Sequence, residues 1–273
     1  MQVFNRMTRE ILLTNDDSYT APGLTVIANF LRRYGNVLCV APKFSQSAKS
    51  MALTMEEPLY LTKYAYYEPE EGKGSLECWH MNGTPADCAK MMANMCIERQ
   101  IDPDLFVSGI NHGSNASSAA LYSGTLGANK EGSLYGIPSV GFSIDTHAED
   151  ADFSAVLHYA PVILEQMFEI PPVHNTYLNV NFPNLPLEQI KGIRFAHQGN
   201  GRWEKEFEKS RDGRGREFYW MVGHFVDYEM KTTAGEADHL LLADGYITIV
   251  PHKIDTTNYA EKDRLSHLWN LKV

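Results

Sequence analysis

The sequence has no long apolar segment, and this absence argues against a transmembrane helix. None of its 273 residues lies in an uninterrupted apolar run of about 18, the length that a helix needs to cross a bilayer. Residues 1–10 contain no apolar stretch of signal-peptide length, so we expect no secretory leader. The formal net charge of −10 disfavours non-specific binding to nucleic-acid polymers or to anionic membranes.

Cysteine is scarce, and its spacing is not that of a metal site. The four cysteines, Cys39, Cys78, Cys88 and Cys96, include no Cys-x-x-Cys pair. Cys39 lies in an apolar run, and Cys88 and Cys96 lie in a helical pattern, which is typical of small core residues. We therefore expect neither a zinc site nor a disulfide framework, and we expect a reducing compartment such as the cytoplasm.

Three common catalytic signatures are also absent. The sequence has no Gly-x-Gly-x-x-Gly after its first predicted strand, no Gly-x-x-x-x-Gly-Lys-Ser/Thr loop and no Gly-x-Ser-x-Gly turn. These absences disfavour dinucleotide binding, P-loop nucleotide hydrolysis and the α/β-hydrolase mechanism. A small phosphorylated ligand remains compatible with the negative charge, because one bound cation and a few backbone N–H groups reverse the local field.

A pair of acids at the end of a short apolar run is the most informative feature. Residues 11–17 read Ile-Leu-Leu-Thr-Asn-Asp-Asp, which predicts a buried strand followed by Asn15, Asp16 and Asp17. Ligands of parallel sheets bind beyond the carboxyl ends of the strands. Adjacent carboxylates repel each other, and a divalent cation removes that repulsion. The alternative is a helix cap or a solvated turn before Pro22.

The order of the predicted elements indicates an α/β fold. A helical pattern over 24–31 and a strand at 37–41 follow the acid pair, forming a β-α-β unit. Further buried strands are predicted at 104–110 and 137–143, with helices between them. We therefore predict an α/β catalytic core over residues 1–170.

The remaining residues, 171–273, are richer in predicted strands. Residues 199–216 have little apolar content and predict an exposed loop or hairpin tip. A strand is predicted at 218–226 and a final helix at 259–268. We expect this part to complete the core and to pair with another subunit.

Polar loops follow three of the predicted core strands, at Asn15–Asp17, Ser45–Ser50 and Asn111–Gly113. Together they supply carboxylates, hydroxyls and an amide. These are hard oxygen ligands, suited to Mg²⁺, Mn²⁺ or Ca²⁺ rather than to zinc. Such a set matches metal-assisted hydrolysis of a phosphate ester.

A fourth loop predicts an anion site. Ser123, Gly124 and Thr125 lie at a helix start, where backbone N–H groups and two hydroxyls can face a phosphate. The alternative for Ser123 is ordinary N-capping. His112 is a candidate general acid for the leaving oxygen, or otherwise a hydrogen-bonding residue of its loop.

Six ordered motifs make the chain resemble the SurE family of stationary-phase survival proteins, which are metal-dependent nucleoside monophosphate phosphatases. The motifs are Leu-Thr-Asn-Asp-Asp at 13–17, Ala-Pro-Gly at 21–23, Val-Ala-Pro at 40–42 with Gln-Ser at 46–47, Asn-Gly-Thr-Pro-Ala-Asp at 82–87, Ser-Gly-Ile-Asn-His-Gly at 108–113 and Tyr-Ser-Gly-Thr at 122–125. Weaker matches extend the resemblance to about residues 10–255.

The resemblance implies a Rossmann-like three-layer α/β sandwich with a mostly parallel sheet, and a β-rich C-terminal extension used for oligomerisation. It implies 5′-nucleotidase activity on nucleoside monophosphates, some activity on polyphosphate, and a homodimer or homotetramer. We expect one divalent cation per subunit, Mg²⁺ or Mn²⁺. By motif position the metal ligands are Asp16, Asp17, Ser47 and Asn111. Asp16, Asp17 and Asn111 are also the catalytic candidates. The substrate and phosphate site is then lined by Asn15, His112, Ser123, Gly124 and Thr125.

Two departures from the family pattern affect the loops of the predicted site. Ser18 stands where the family usually has glycine, which tolerates backbone angles that serine does not. Residues 114–117 read Ser-Asn-Ala-Ser, where the family usually reads Ala-Asn-Leu-Gly. Both departures leave the predicted ligands in place.

Two other classes of function are considered. A phospho-acceptor receiver domain also binds Mg²⁺ at an acid pair, but it needs an acceptor aspartate where this chain has Asn111, and it is about half this size. A non-catalytic oligomeric binding protein would keep the metal and phosphate site without turnover.

Overall fold

Thirteen strands and seven α-helices are found in residues 8–230 and 233–271, the part of the chain that this computed structural model describes. The strands are β1 (Arg9–Thr14), β2 (Gly35–Pro42), β3 (Leu61–Tyr67), β4 (Leu76–Met81), β5 (Leu105–His112), β6 (Ser139–Ile144), β7 (Thr176–Phe182), β8 (Ile193–Phe195), β9 (Gly201–Glu204), β10 (Phe207–Arg211), β11 (Glu217–Met221), β12 (His224–Asp227) and β13 (Ile247–Lys253). The helices are α1 (Pro22–Leu31), α2 (Pro85–Arg99), α3 (Ala119–Tyr122), α4 (Gly124–Leu134), α5 (Ser154–Glu169), α6 (Asp238–Ala243) and α7 (Tyr259–Leu268). None of these described helices is long and apolar enough to cross a membrane. The expectation of no secretory leader concerns residues 1–10, and residues 1–7 of these lie outside the described residues.

Nine of the described strands form one sheet, in the order β3-β4-β2-β1-β5-β6-β7-β13-β8. Neighbours from β4 to β7 pair in parallel. Strand β3 runs antiparallel to β4 at one edge, and β13 runs antiparallel to β7 near the other. The predicted α/β fold with a mostly parallel sheet is confirmed, and strands β7, β8 and β13 from the second half of the chain join it.

The strand order reverses between β1 and β5. From β1 the parallel strands continue outward through β2 and β4, and from β5 they continue in the other direction through β6 and β7. Ligands of open α/β sheets bind beyond the carboxyl ends of the strands at such a switch point. The segments Asn15–Asp17 and Asn111–Gly113 therefore meet at the same crevice.

Helices cover both faces of the sheet. Ile11 and Leu13 belong to a buried cluster that includes residues of α1 and α5, whereas Leu12 belongs to a second cluster that includes residues of α2 and α4. Side chains of a strand alternate between the faces of its sheet. A strand buried on both faces therefore has consecutive apolar residues, as β1 has.

The four cysteines are free and buried, as their sequence context predicts. Cys39 and Cys78 pack in the cluster on the side of α1, and Cys88 and Cys96 in the cluster on the side of α2. Burial raises the pKa of the Cys88 thiol above its usual range. These thiols act as small core residues.

The prediction of an exposed loop or hairpin tip over residues 199–216 is wrong in its extent, because this segment contains strands β9 and β10. The single strand predicted at 218–226 is divided into β11 and β12 around Gly223, whose φ is 133°. Strand β10 pairs antiparallel with β11, and β9 with β12. These four strands form two antiparallel two-stranded sheets outside the main sheet, over residues 201–227, which we call the arm.

Candidate active site

The acid pair lies directly after β1, and its carboxylates turn to different partners. Asp16 is only 4% exposed, and its Oδ1 accepts a 2.6 Å hydrogen bond from the Thr125 hydroxyl. The Asp17 side chain is 19% exposed, and its Oδ2 accepts a 3.1 Å hydrogen bond from the His112 backbone N–H. The pair therefore connects β1 to the start of α4 and to the end of β5.

The electrostatics of the pair fit a cation. The pKa of Asp16 is raised to about 6, chiefly because the carboxyl group is buried and secondly because Asp17 lies beside it. The hydrogen bond from the Thr125 hydroxyl acts in the opposite direction. A carboxylate that has lost its water and faces a second negative charge is stabilised by a nearby positive ion.

The residue after the pair has a backbone conformation that favours glycine. Ser18 has a φ of 106°, where an L side chain is strained. Its carbonyl accepts a 2.8 Å hydrogen bond from Asn15 Nδ2, and its Oγ lies 3.0 Å from Thr20 Oγ1. The turn thus takes a shape suited to the usual glycine although the residue is serine.

Asn15 places an unpaired acceptor beside the acids. Its Nδ2 is bound to the Ser18 carbonyl, but its Oδ1 is buried and has no hydrogen-bond partner among the described residues. Buried polar atoms nearly always have a partner. A bound group with positive charge or a hydrogen-bond donor would satisfy this oxygen.

Asn111 is buried at the end of β5 with its amide oxygen available. Its Nδ2 donates a 2.7 Å hydrogen bond to the Gly113 carbonyl, and within the described residues no hydrogen bond reaches its Oδ1. Because the nitrogen is occupied, the oxygen is the atom left for a ligand. The role of Asn111 as a metal ligand stays a prediction.

The loop that carries Ser47 is fastened to the acid pair through its backbone. The Gln46 N–H donates a 2.7 Å hydrogen bond to the Asp16 carbonyl. Ser47 itself is exposed, and its Oγ lies 3.1 Å from Ser45 Oγ. The structure therefore brings the predicted ligand to the rim of the crevice beside Asp16.

The start of α4 contacts Asp16 closely. A Cβ at Gly124 would lie 2.8 Å from Asp16 Cβ, so only glycine fits there. Thr125 is fully buried and spends its hydroxyl on Asp16. The Ser123 hydroxyl accepts a 3.1 Å hydrogen bond from the Leu126 N–H, which is the N-cap that the sequence left open as an alternative. A phosphate role for the three residues stays a prediction.

Two histidines flank Gly113 at the mouth of the crevice. His112 Nδ1 lies 3.6 Å from Asp17 Oδ2, and its ring meets Phe153 edge-on at 5.4 Å. The ring of His147 packs on Gly113, where a Cβ would lie 2.4 Å from His147 Cε1. The sequence reasoning missed His147, although it follows a predicted strand at the same edge of the sheet.

The oxygen atoms at the crevice are of the kinds that a hard cation prefers as ligands. In the part of the chain that is described, no group of three or more His, Cys, Asp or Glu residues is placed to hold a metal ion. The crevice instead combines two carboxylates with amide and hydroxyl oxygens. Such mixed oxygen sets suit Mg²⁺ or Mn²⁺, which retain water or substrate oxygens as further ligands.

The fold and this crevice together define an α/β protein whose site, at the switch point of a mostly parallel sheet, is lined by oxygen ligands. The family model described as "Survival protein SurE" matches residues 11–205. Relatives named 5′-nucleotidase SurE from Phocaeicola vulgatus and Bacteroides fragilis are each 40% identical over 263 residues, which cover 96% of this chain and 97% of theirs.

A solved structure agrees with these relatives. The crystal structure of the SurE protein from Aquifex aeolicus has a TM-score of 0.76 and 32% sequence identity, and the match covers 95% of this chain and 99% of that one. The chain belongs to the SurE family. The resemblance predicted from the six motifs is confirmed.

Proposed function

We propose that this protein is a phosphatase that hydrolyses nucleoside 5′-monophosphates to nucleoside and phosphate with the help of a divalent cation. The observation that carries the proposal is the meeting of Asp16, Asp17 and Asn111 at the switch point between β1 and β5. The 5′-nucleotidase name of the relatives supports the substrate class.

One cation per subunit, Mg²⁺ or Mn²⁺, is expected in the crevice. Asp16, Asp17, Ser47 and Asn111 would hold it through carboxylate, hydroxyl and amide oxygens. The unpaired Oδ1 of Asn15 and the raised pKa of Asp16 support this assignment. When bound, such a cation polarises the phosphoryl group and offsets its negative charge.

Asp17 is the carboxylate proposed to orient the attacking water. It is more open than Asp16, whose carboxylate is fixed by Thr125. As the water oxygen forms its bond to phosphorus, the ester P–O bond breaks and the proton of the water passes to the carboxylate. Asp16 is proposed to help hold the cation in position, while Asp17 acts on the water.

The groups proposed to bind the phosphate oxygens and to protonate the leaving oxygen lie on different elements. The Gly124 N–H and the Ser123 hydroxyl, at the start of α4, would bind phosphate oxygens. Thr125 contributes through Asp16, because its hydroxyl is already donated there. His112, at the end of β5, is proposed to donate the proton that the leaving 5′-oxygen needs.

Two further features of the proposal come from the family and the composition. Some hydrolysis of polyphosphate is proposed from the resemblance alone. A reducing compartment such as the cytoplasm is proposed because the four cysteines are free and buried.

We also propose a homodimer or homotetramer assembled through α7 and the arm. Helix α7 has no buried residue, and its last residue Leu268 and the following Trp269 are 65% and 60% exposed. Phe207, Trp220 and Met221 of the arm are exposed as well. Several large exposed apolar side chains on one element mark a protein contact.

The activity is tested with purified full-length protein and a panel of nucleoside monophosphates. With Mg²⁺ or Mn²⁺ the protein should release phosphate, and EDTA should stop the release. Asp16→Asn and Asp17→Asn should each lower kcat by roughly 100-fold or more. Asp244→Asn is the matched control, because this exposed acid forms its ion pair among the described residues with Lys191, at 2.6 Å, and should keep full activity.

Two outcomes would contradict the proposal. Activity that survives EDTA would exclude the metal mechanism. Binding of Mn²⁺ without turnover of any phosphate ester would contradict the phosphatase and favour the binding-protein alternative.

A further inference from the structure

Buried polar side chains lie within and beneath the loop 113–118, which leads from the proposed ligand Asn111 to α3. They are Asn115, Ser143, Asn179, Asn181 and Asp238, each at most 5% exposed. Burying polar groups is unfavourable unless they are fully hydrogen-bonded.

The first anchor grips the backbone of Asn115 from both sides. Asn181 Oδ1 accepts a 2.7 Å hydrogen bond from the Asn115 N–H, and Asn179 Nδ2 donates a 2.8 Å bond to the Asn115 carbonyl. Asn181 and Asn179 are themselves joined at 3.0 Å, and Asn115 Nδ2 donates to Ser143 Oγ at 2.8 Å. Strands β6 and β7 therefore fix the middle of the loop.

The second anchor is the carboxylate of Asp238 at the start of α6. It accepts hydrogen bonds from the backbone N–H groups of Ser117 (3.0 Å), Gly199 (2.9 Å) and His239 (2.8 Å). The carboxylate is fully buried, so these N–H dipoles carry much of the stabilisation of its charge. Ser117 Oγ also donates to the Gly199 carbonyl at 2.9 Å, which ties the loop to the segment entering the arm.

The anchored loop sets the orientation of two proposed metal ligands. Asn111 directs its oxygen to the crevice because its Nδ2 is bound to the Gly113 carbonyl, two residues before Asn115. Asp17 is oriented by the backbone N–H of His112. A shift of the loop backbone at Gly113 would therefore rotate the Asn111 amide, and a shift that extends to the adjoining His112 at the end of β5 would weaken the hydrogen bond that orients Asp17.

We propose that Asn181 and Asp238 are positioning residues that hold the loop 113–118 so that Asn111 and Asp17 present their oxygens to a divalent cation. The inference rests on the proposed function, because it takes Asn111 and Asp17 to be metal ligands. Outer partners that orient metal ligands typically change metal affinity or activity by roughly 10- to 100-fold when they are replaced. The same size of effect is expected here.

A purely structural role makes a different prediction. Loss of a buried hydrogen bond lowers the stability of the fold in either case. If the network only stabilised the fold, the folded fraction of each variant would still bind metal as the wild type does. Metal affinity, measured without substrate, therefore separates the two roles.

The test uses the full-length protein and Mn²⁺ alone, titrated calorimetrically beside a thermal-unfolding measurement. Asn181→Leu removes both hydrogen bonds of the side chain, Asn181→Asp keeps an acceptor for the Asn115 N–H, and Asp238→Asn removes the buried charge. Glu131→Gln is the matched control, since Glu131 is a carboxylate 2% exposed and bonded to Lys90 at 2.6 Å, away from the loop.

We expect Mn²⁺ binding to weaken by roughly 10- to 100-fold in Asn181→Leu and Asp238→Asn, less in Asn181→Asp, and not in Glu131→Gln at a comparable loss of melting temperature. Wild-type affinity in the Asn181 and Asp238 variants would overturn the inference. If Asn181→Leu does not fold, the other two variants decide by the same comparison. A wild type that binds Mn²⁺ but hydrolyses no nucleotide would refute the proposed activity and leave the positioning role standing.

Discussion

Two serines of the site have backbone angles that favour glycine. Ser18 has a φ of 106° and Ser117 a φ of 53°. Each hydroxyl makes a local bond, Ser18 with Thr20 Oγ1 at 3.0 Å and Ser117 with the Gly199 carbonyl at 2.9 Å. At both positions glycine would be free of strain, and the hydrogen bond of each serine hydroxyl offsets part of the strain that the side chain introduces.

This strain predicts an unusual order of stability at residue 18. Ser18→Ala and Ser18→Gly both lose the hydroxyl, but only alanine keeps a Cβ at this positive φ. Such strain costs of the order of 1–3 kcal/mol, which exceeds the roughly 0.5–1 kcal/mol of extra chain entropy that glycine loses on folding. We expect Ser18→Gly to be about 1 kcal/mol more stable than Ser18→Ala, measured by denaturant unfolding without metal.

The control for this comparison is Ser266 in α7, an exposed helical position. There alanine should be more stable than glycine by about 1 kcal/mol, as in ordinary helices. An alanine variant at residue 18 as stable as the glycine variant would contradict the strain argument.

Sequence reasoning found the acid pair because a strand that ends in two carboxylates is a local pattern. It could not find the partner of each acid. Thr125 lies 109 residues from Asp16 along the chain, and the sequence around either residue does not predict their contact. His147 was missed for the same reason, since its place over Gly113 depends on how β6 lies beside β5.

At the scale of elements, the start of α4 is defined by how closely it approaches the acid pair. Gly124→Ala would place a Cβ 2.8 Å from Asp16 Cβ, so the helix or the carboxylate must move. We expect kcat/KM for a nucleoside monophosphate to fall by about 100-fold, because displacements near 1 Å are that costly to a positioned site.

Gly213→Ala in the arm is the matched control, because nothing lies within 4 Å of its added Cβ. It should retain wild-type activity. Equal activity of the Gly124 variant and this control would show that the close approach of α4 has no part in catalysis.

Elements with local end signals were predicted well, and the arm was not. The motif at 82–87 contains such a signal, since Thr84 is the N-cap of α2: its hydroxyl accepts from the Asp87 N–H at 3.1 Å, and the Asp87 carboxylate accepts from the Thr84 N–H at 2.9 Å. The arm strands show no alternation of apolar and polar residues, since β10 reads Phe-Glu-Lys-Ser-Arg and β11 reads Glu-Phe-Tyr-Trp-Met. They are joined by cross-strand ion pairs instead, as Glu217 makes with Lys209 at 2.7 Å and with Arg211 at 2.8 Å.

At the scale of the whole molecule, the exposed apolar side chains of α7 and the arm predict self-association. Light scattering should give a multiple of the chain mass of 30.8 kDa. Leu268→Glu combined with Trp269→Glu should raise the dissociation constant at least about tenfold, because burying one such side chain contributes about 1.5–3 kcal/mol.

Lys262→Ala is the control on the same helix, since Lys262 is exposed and its ion pair within the described part of the chain is with its neighbour Asp263, at 3.2 Å. Its mass should match that of the wild type. A monomeric wild type at micromolar concentration would contradict the assembly.

The two-sided burial of β1 has a consequence for the acid pair. Alternate residues of the strand face opposite helical layers, and the two acids that follow it are divided in the same way: Asp16 contacts Thr125 of α4, and Asp17 contacts His112, whose ring packs on Phe153. Inserting or deleting one residue in β1 would exchange these sides. Which carboxylate is fixed and which is open thus depends on the number of residues in β1. A change of two residues in the length of the strand would keep the assignment, and a change of one would reverse it.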